Sequence, residues 1–229
     1  MPAPFSGSLT LPPPAPARPT GRTQWRMALA RPAYRWRLAL VLLLIFGVLI
    51  PAVGPFYRWV QLRPGHQLPD PLLGLMPHAD VSLPLFGLMY GASVFTIAFV
   101  LRQPALLLRG FWAYLLLQGI RMAVLALVPL ELPAAALPLP DPFTELVLNV
   151  QAQPITKDLF FSGHTATTAL LALAVRGHWR WGLAAICGVV AALVLVQRVH
   201  YTYDVLAAPF FAWAAYWLAG RVSRGGLEA

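Results

Sequence analysis

With 229 residues, 59% of them hydrophobic and only 11% charged, the chain is far more apolar than a soluble domain and reads as an integral membrane protein. The net charge of +9 does not point to nucleic acid, because the arginines flank apolar runs instead of interleaving with aromatics in one basic patch. Cys187 is the lone cysteine, which excludes an intrachain disulfide and a structural zinc site made of cysteines.

Residues 1–36, with Pro12, Pro13, Pro14, Pro16 and Pro19 among arginines, carry no hydrophobic period and are expected to be a flexible cytoplasmic tail. They do not read as a secretory signal, since further apolar runs follow the first. Met27 is an alternative start, from which residues 1–26 would be untranslated. Apolar stretches near 38–57, 80–101, 105–129, 162–176, 182–198 and 204–220 each read as a membrane helix, for which about 20 residues suffice. The expected fold is an all-α integral membrane protein. A bundle of six transmembrane helices occupies residues 37–221, and a short tail follows at 222–229. No internal repeat is visible.

Arginine and lysine near span ends set orientation, the excess facing the cytoplasm. One set of segments holds Arg18, Arg22, Arg26, Arg31, Arg35, Arg37, Arg102, Arg109, Arg176, Arg180, Arg221 and Arg224. The opposite set holds only Arg58, Arg63, Lys157 and Arg198. This split of twelve to four places both termini in the cytoplasm and the loops at 58–79, 130–161 and 199–203 outside. Asp70, Asp80, Glu131, Asp141, Glu145 and Asp158 fall on the outer side. So do His164, His200 and Asp204, at the ends of three different spans, although none of them entered the count.

These three carry the chemistry. His200 and Asp204 are spaced i, i+4 and share a face if their segment is helical, so the carboxylate can accept the imidazole Nδ1 hydrogen and leave Nε2 as a nucleophile for phosphorus. Asp204 would also stabilise the cationic phosphoimidazole. His164 could donate a proton to the departing oxygen and later take one from the incoming hydroxyl, for which an ordinary imidazole pKa of about 6.5 is suited. Ser162-Gly163-His164-Thr165 reads as a helix start with Ser162 as cap, Gly163 allowing close approach and free amides attracting phosphate. Further positive charge is available from Lys157, Arg198 and Arg121. Arg121 interrupts the third span about 12 Å of helix rise from its outer end, where a charge normally faces protein or a water-filled cavity.

Plainer roles compete for several residues. His66, His78 and His178 are read as interfacial hydrogen-bonding groups. Arg198 can be an interfacial anchor, Arg121 can pair with Glu131 or Asp158, and Asp158 can simply solvate its loop. Tyr201, Tyr203, Trp213 and Trp217 are read as belt and packing aromatics.

Ser162-Gly163-His164-Thr165 and His200-Tyr201-Thr202-Tyr203-Asp204-Val205 resemble the two core motifs of the sphingomyelin synthase family, a branch of the type 2 phosphatidic acid phosphatase superfamily. Asp158, six residues before His164, also matches that family's acidic position, and Leu68-Pro69-Asp70 resembles its proline and aspartate motif. The resemblance implies six spans with both termini inside, His200 as nucleophile, Asp204 as its orienting partner and His164 as acid and base. It implies no cofactor and a part in sphingolipid metabolism. The chain departs from the family at its arginine-rich motif, where Gln118 and Arg121 stand. It departs from the wider superfamily at Val194, which occupies the position of an arginine six residues before the second histidine.

Three functions stay open on these grounds. One is a lipid phosphotransferase or phosphatase acting on a phospholipid or lipid phosphate, with ceramide, diacylglycerol or water as acceptor selected by cavity shape. A second keeps the site but inserts zinc on two histidines and a carboxylate. The third is a noncatalytic lipid transporter or lipid-binding protein, in which class inverted repeats and midplane sites are common.

Overall fold

The computed structural model describes residues 20–139 and 156–224. The stretch before residue 20 with Arg18, the last residues of the chain, and Asp141 and Glu145, expected in an outer loop, lie outside the described residues. Among those described the chain forms eight helices and no strand beyond an isolated bridge between His66 and Leu130. They are α1 (Gly21–Ala30), α2 (Pro32–Leu62), α3 (Pro71–Leu75), α4 (Ser82–Val100), α5 (Pro104–Leu127), α6 (Gly163–Ala174), α7 (Trp179–Val196) and α8 (Thr202–Arg224).

Five of them, α2, α4, α5, α7 and α8, are long and apolar enough to cross a membrane. The fourth segment expected to span does not reach that length. Helix α6 has 12 residues and rises only about 18 Å, against a hydrocarbon core of about 30 Å. Its apolar run is cut at one end by the Ser162 cap, and at the other by extended backbone at Val175 and left-handed backbone at Gly177. The half-length helix survives because it sits inside protein, against both α7 and α8. Thr165, Ala166, Thr168, Ala169 and Leu170 are all buried.

Within the stretch expected as a flexible tail, residues 21–30 and 32–36 are helical, with extended backbone at Arg31 between them. The Trp25 indole donates to the Leu101 carbonyl at 2.8 Å and meets the Tyr34 ring edge-on. Pro32 opens α2 at a position where its fixed φ suits a helix start. Within α2, Pro51 cannot donate to the carbonyl one turn back, and the turn just before it, Leu44–Leu49, is in π register.

The bundle's centre is the contact of α5 with α8. Ala208, Ala212, Ala215 and Ala219 form a fully buried small stripe on α8, so the two backbones approach closely and pack around Leu108, Trp112 and Leu117. At the far end of this pair the Arg109 guanidinium donates to the Tyr216 carbonyl at 3.0 Å and lies over the Tyr216 ring.

At the opposite end one buried amide gathers the loops. Gln197, with 0% exposure, sits just past α7. Its Oε1 accepts the Val81 N–H at 2.7 Å, and its Nε2 donates to the Pro138 carbonyl at 3.0 Å, the Ser82 hydroxyl at 3.2 Å and Asp80 at 3.3 Å. Its carbonyl accepts the Leu137 N–H at 3.1 Å. Gln197→Leu keeps the volume but strands these groups, and is expected to cost about 1–3 kcal/mol. A thermal melt in detergent checks it; an unchanged Tm would show that the amide holds nothing together.

Candidate active site

Three helix ends converge on one point. Ser162 caps α6, its hydroxyl oxygen accepting the Thr165 N–H at 3.3 Å, as a serine before an apolar helical run predicts. The Ser162 N–H donates to the Asp204 carbonyl at 3.2 Å, so the start of α6 is tied to the first turn of α8. The Asp204 side chain completes the junction: its Oδ2 accepts the Tyr201 N–H at 3.0 Å, the reach-back of a capping box from the third helical position.

This junction sets His164 beside His200. Their ring centroids lie 5.7 Å apart at an interplanar angle of 68°, and Phe86 of α4 packs 6.0 Å from His164 on another side. His200 is 2% exposed and Asp204 fully buried. Nδ1 of His200 lies 3.5 Å from Asp204 Oδ2, an ion-pair distance rather than a hydrogen bond, in the range from which catalytic contacts tighten when substrate arrives. The i, i+4 spacing does not work through a shared helix face, because His200 lies in the turn before α8 and only Asp204 is helical. The turn at 197–201 brings the two together.

Beside the histidines Arg121, 4% exposed, projects from α5 about 9 Å of rise from that helix's end. It forms an ion pair with Asp158 at 2.5 Å and donates to the Phe161 carbonyl. A Cβ on residue 163 would meet the guanidinium carbon at 2.8 Å, so Gly163 is what admits this cation to the start of α6. Asp158 also accepts the Tyr57 hydroxyl hydrogen bond at 3.0 Å. Burial would raise the Asp158 carboxyl, but the charge and hydrogen bonds of Arg121 outweigh it and hold it below the ordinary value.

The other residues singled out from sequence have partners of their own. Lys157 pairs with Glu131 at 2.7 Å and donates to the Arg63 carbonyl; that hydrogen bond and charge hold the Glu131 carboxyl low. Asp70 fastens the first turn of α8, its Oδ2 accepting the Thr202 N–H at 2.6 Å and its Oδ1 the Thr202 hydroxyl at 3.1 Å, while Oδ1 also caps α3 through Leu73. Tyr201 is no belt residue: at 1% exposure its hydroxyl donates to the Glu131 carbonyl at 2.9 Å and accepts the Leu68 N–H. Tyr203, Trp213 and Trp217 are exposed.

Arg198 stands apart. It holds φ of +57° at the position after the α7 cap where glycine is usual, with the Val199 N–H bonded to the Val194 carbonyl and its own N–H to Leu195. Its buried Nε has no hydrogen-bond partner among the described residues, and no ion pair forms there either.

Tyr57 and Gln61, absent from the sequence reading, hold the approach to the site. Gln61 donates to the Thr156 hydroxyl at 2.6 Å and accepts the N–H groups of Thr156 and Lys157. Their i, i+4 spacing at the end of a largely apolar helix was the available signal. No group of three or more His, Cys, Asp or Glu side chains among the described residues is arranged to hold a metal ion.

Residues 157–220 match the family model described as PAP2 superfamily C-terminal, a stretch that includes His164, His200 and Asp204 but less than half of the chain. The match supports membership of the type 2 phosphatidic acid phosphatase superfamily, and an integral membrane enzyme of lipid phosphatase or phosphotransferase kind. No curated protein and no solved structure matches the chain.

Removing Arg121 leaves a half-buried carboxylate without its cation. Arg121→Met is therefore expected to destabilise more than the pair Arg121→Met with Asp158→Asn, with a coupling of about 1–3 kcal/mol in a double-mutant cycle. Because the folded Asp158 pKa is depressed, this coupling is present above the ordinary value of 3.8 and is lost as pH falls through the lower folded value. Melts of the four proteins at neutral and acid pH check both statements.

Proposed function

We propose that this chain is a membrane-embedded enzyme that moves the phosphate-containing headgroup of a lipid, through a phosphohistidine at His200, to a second hydroxyl. The observation that carries the reading is the meeting of His164 and His200, from different helix ends, with the buried Asp204 carboxylate behind His200. In the first half-reaction His200 Nε2 attacks phosphorus, a P–N bond forms, the P–O bond to the donor lipid breaks, and His164 gives its proton to the departing oxygen. In the second, the acceptor oxygen attacks phosphorus, His164 takes the acceptor's proton, and the P–N bond breaks. Asp204 orients the imidazole through Nδ1 and offsets the charge of the intermediate.

Arg198 is assigned to the phosphate oxygens. It retains an unpaired donor next to His200, whereas Arg121 and Lys157 are already matched with carboxylates. Arg121 and Asp158 are read as positioning residues for the start of α6. The acceptor is read as a lipid alcohol, ceramide or diacylglycerol, on the resemblance of both motifs to the sphingomyelin synthase family. The side of the site is read as extracytoplasmic, because the opposite helix ends carry Arg102, Arg109, Arg176, Arg180 and Arg221.

Purified protein incubated with headgroup-labelled phospholipid, with and without ceramide or diacylglycerol, tests the reaction. The expected result is label in a new lipid that depends on the added alcohol; free labelled headgroup alone would make it a phosphatase, and unchanged label would end the enzyme reading. His200→Ala is expected to abolish an acid-labile phosphoenzyme, and His164→Ala to slow turnover by about 10²–10⁴. Equal phosphoenzyme in wild type and His200→Ala would refute the nucleophile.

Arg198→Gly separates ligand from scaffold. Relief of the left-handed strain, worth about 1–2 kcal/mol, should leave Tm no lower than wild type while KM for the phospholipid rises. A lower Tm with unchanged KM would make Arg198 a structural anchor.

A further inference from the structure

The shortness of α6 has a consequence on the bilayer side of the bundle. Helices α7 and α8 both lean on α6 but scarcely touch each other, leaving between them a cleft whose floor is α6. Its volume is about 430 Å³, within the range of sites for small organic ligands. The floor is small, with Thr165, Ala169 and Ala172 at i, i+4 and i+7. The α7 wall repeats that spacing at Ala184, Gly188 and Ala191. Leu206 and Trp213 on the α8 rim and Trp181 near the far end are well exposed, so the cleft opens toward the hydrocarbon of a membrane.

His164, His200 and Asp204 do not line this cleft, but one end of it is formed by their immediate neighbours in sequence. Thr165 is the residue after His164, and Val205 the residue after Asp204, and both line it. From there it runs along the helices toward Arg180, about 12 Å over the eight residues from Thr165 to Leu173. A mostly apolar cleft that starts at Thr165 and Val205, next to the histidine site, suits an acyl chain of a lipid whose headgroup lies at the histidines.

We infer that the α6–α8 cleft seats one acyl chain of the lipid whose headgroup reacts, and that Gly188 keeps it open. The inference deepens the proposed function and rests on it for the identity of the lipid. A Cβ at Gly188 would meet nothing within 4 Å, so a leucine there grows into the cleft instead of into protein. Gly182 is equally unobstructed, lies on the same helix and does not line the cleft. Either substitution raises helix propensity, so loss of fold is not the expected outcome.

The test uses vesicles of phosphatidylcholine containing a phosphatidylcholine with a diazirine near the end of one acyl chain, and the full chain as wild type, Gly188→Leu and Gly182→Leu. After illumination, adducts mapped by mass spectrometry are expected to concentrate on the cleft residues of α6, α7 and α8. They should fall by roughly tenfold in Gly188→Leu, the scale on which a filled hydrocarbon pocket discriminates, and stay at the wild-type level in Gly182→Leu. Adducts spread evenly over all bilayer-facing helices, or undiminished in Gly188→Leu, would overturn the inference. Labelling needs no turnover. Cleft adducts on a protein that never forms phosphohistidine would leave the cleft standing and sink the enzyme, and phosphohistidine without cleft adducts would do the reverse.

Discussion

The junction between Ser162 and Asp204 is the constraint from which the rest follows. A backbone hydrogen bond joins the start of α6 to the first turn of α8, and the Asp204 side chain satisfies the free N–H at the head of α8. Helix ends buried away from water must find such partners, at about 1 kcal/mol or more for each one left unmet. Here the partner is the carboxylate that also lies behind His200. Capping and chemistry therefore compete for one side chain, which divides its oxygens: Oδ2 serves the helix start and faces Nδ1, while Oδ1 has no hydrogen bond among the described residues.

A second layer of polar groups keeps this junction from drifting. Asp70 grips Thr202, Tyr201 bridges Glu131 and Leu68, Gln61 holds the segment entering α6, and Gln197 gathers the loops past α7. Each is a polar side chain bonded to a distant segment, and Tyr201, Gln61 and Gln197 fix loop position without adding charge to a low-dielectric region. The carboxylates in this layer are held below the ordinary range: burial works against Asp70, but its bonds from Thr202 and Leu73 prevail.

Much of this was legible before any coordinates. Six apolar runs, the Ser162 cap and the coincidence of His164, His200 and Asp204 at one level all followed from pattern and charge. What could not be read was tertiary in origin. The run at 162–176 is as apolar as its neighbours, and only its burial between α7 and α8 shows it to be a half-length helix. Asp70 stood out only through the resemblance of Leu68-Pro69-Asp70 to a family motif, and nothing local reveals a partner as remote in sequence as Thr202. The i, i+4 argument for His200 and Asp204 reached the right pair through the wrong geometry, since a turn, not a helix face, joins them. Helix in place of tail at Gly21–Ala30 depends on Trp25 finding the Leu101 carbonyl, again a long-range contact.

The half-length helix also accounts for an apolar cleft adjoining the polar junction of Ser162 and Asp204. A full-length span at α6 would bring its own side chains out to the bilayer between α7 and α8 and would start at the membrane surface. The short helix places its capped N-terminus, with Arg121 admitted by Gly163, inside the bundle. The same shortness leaves small residues at the bottom of a groove that the longer neighbours wall on both sides. Because Thr165 lines the cleft while its N–H and hydroxyl are bonded to the Ser162 cap, the polar junction and the apolar cleft share one residue of wall. Separation of headgroup from tail is thus built from where one helix starts and how soon it stops.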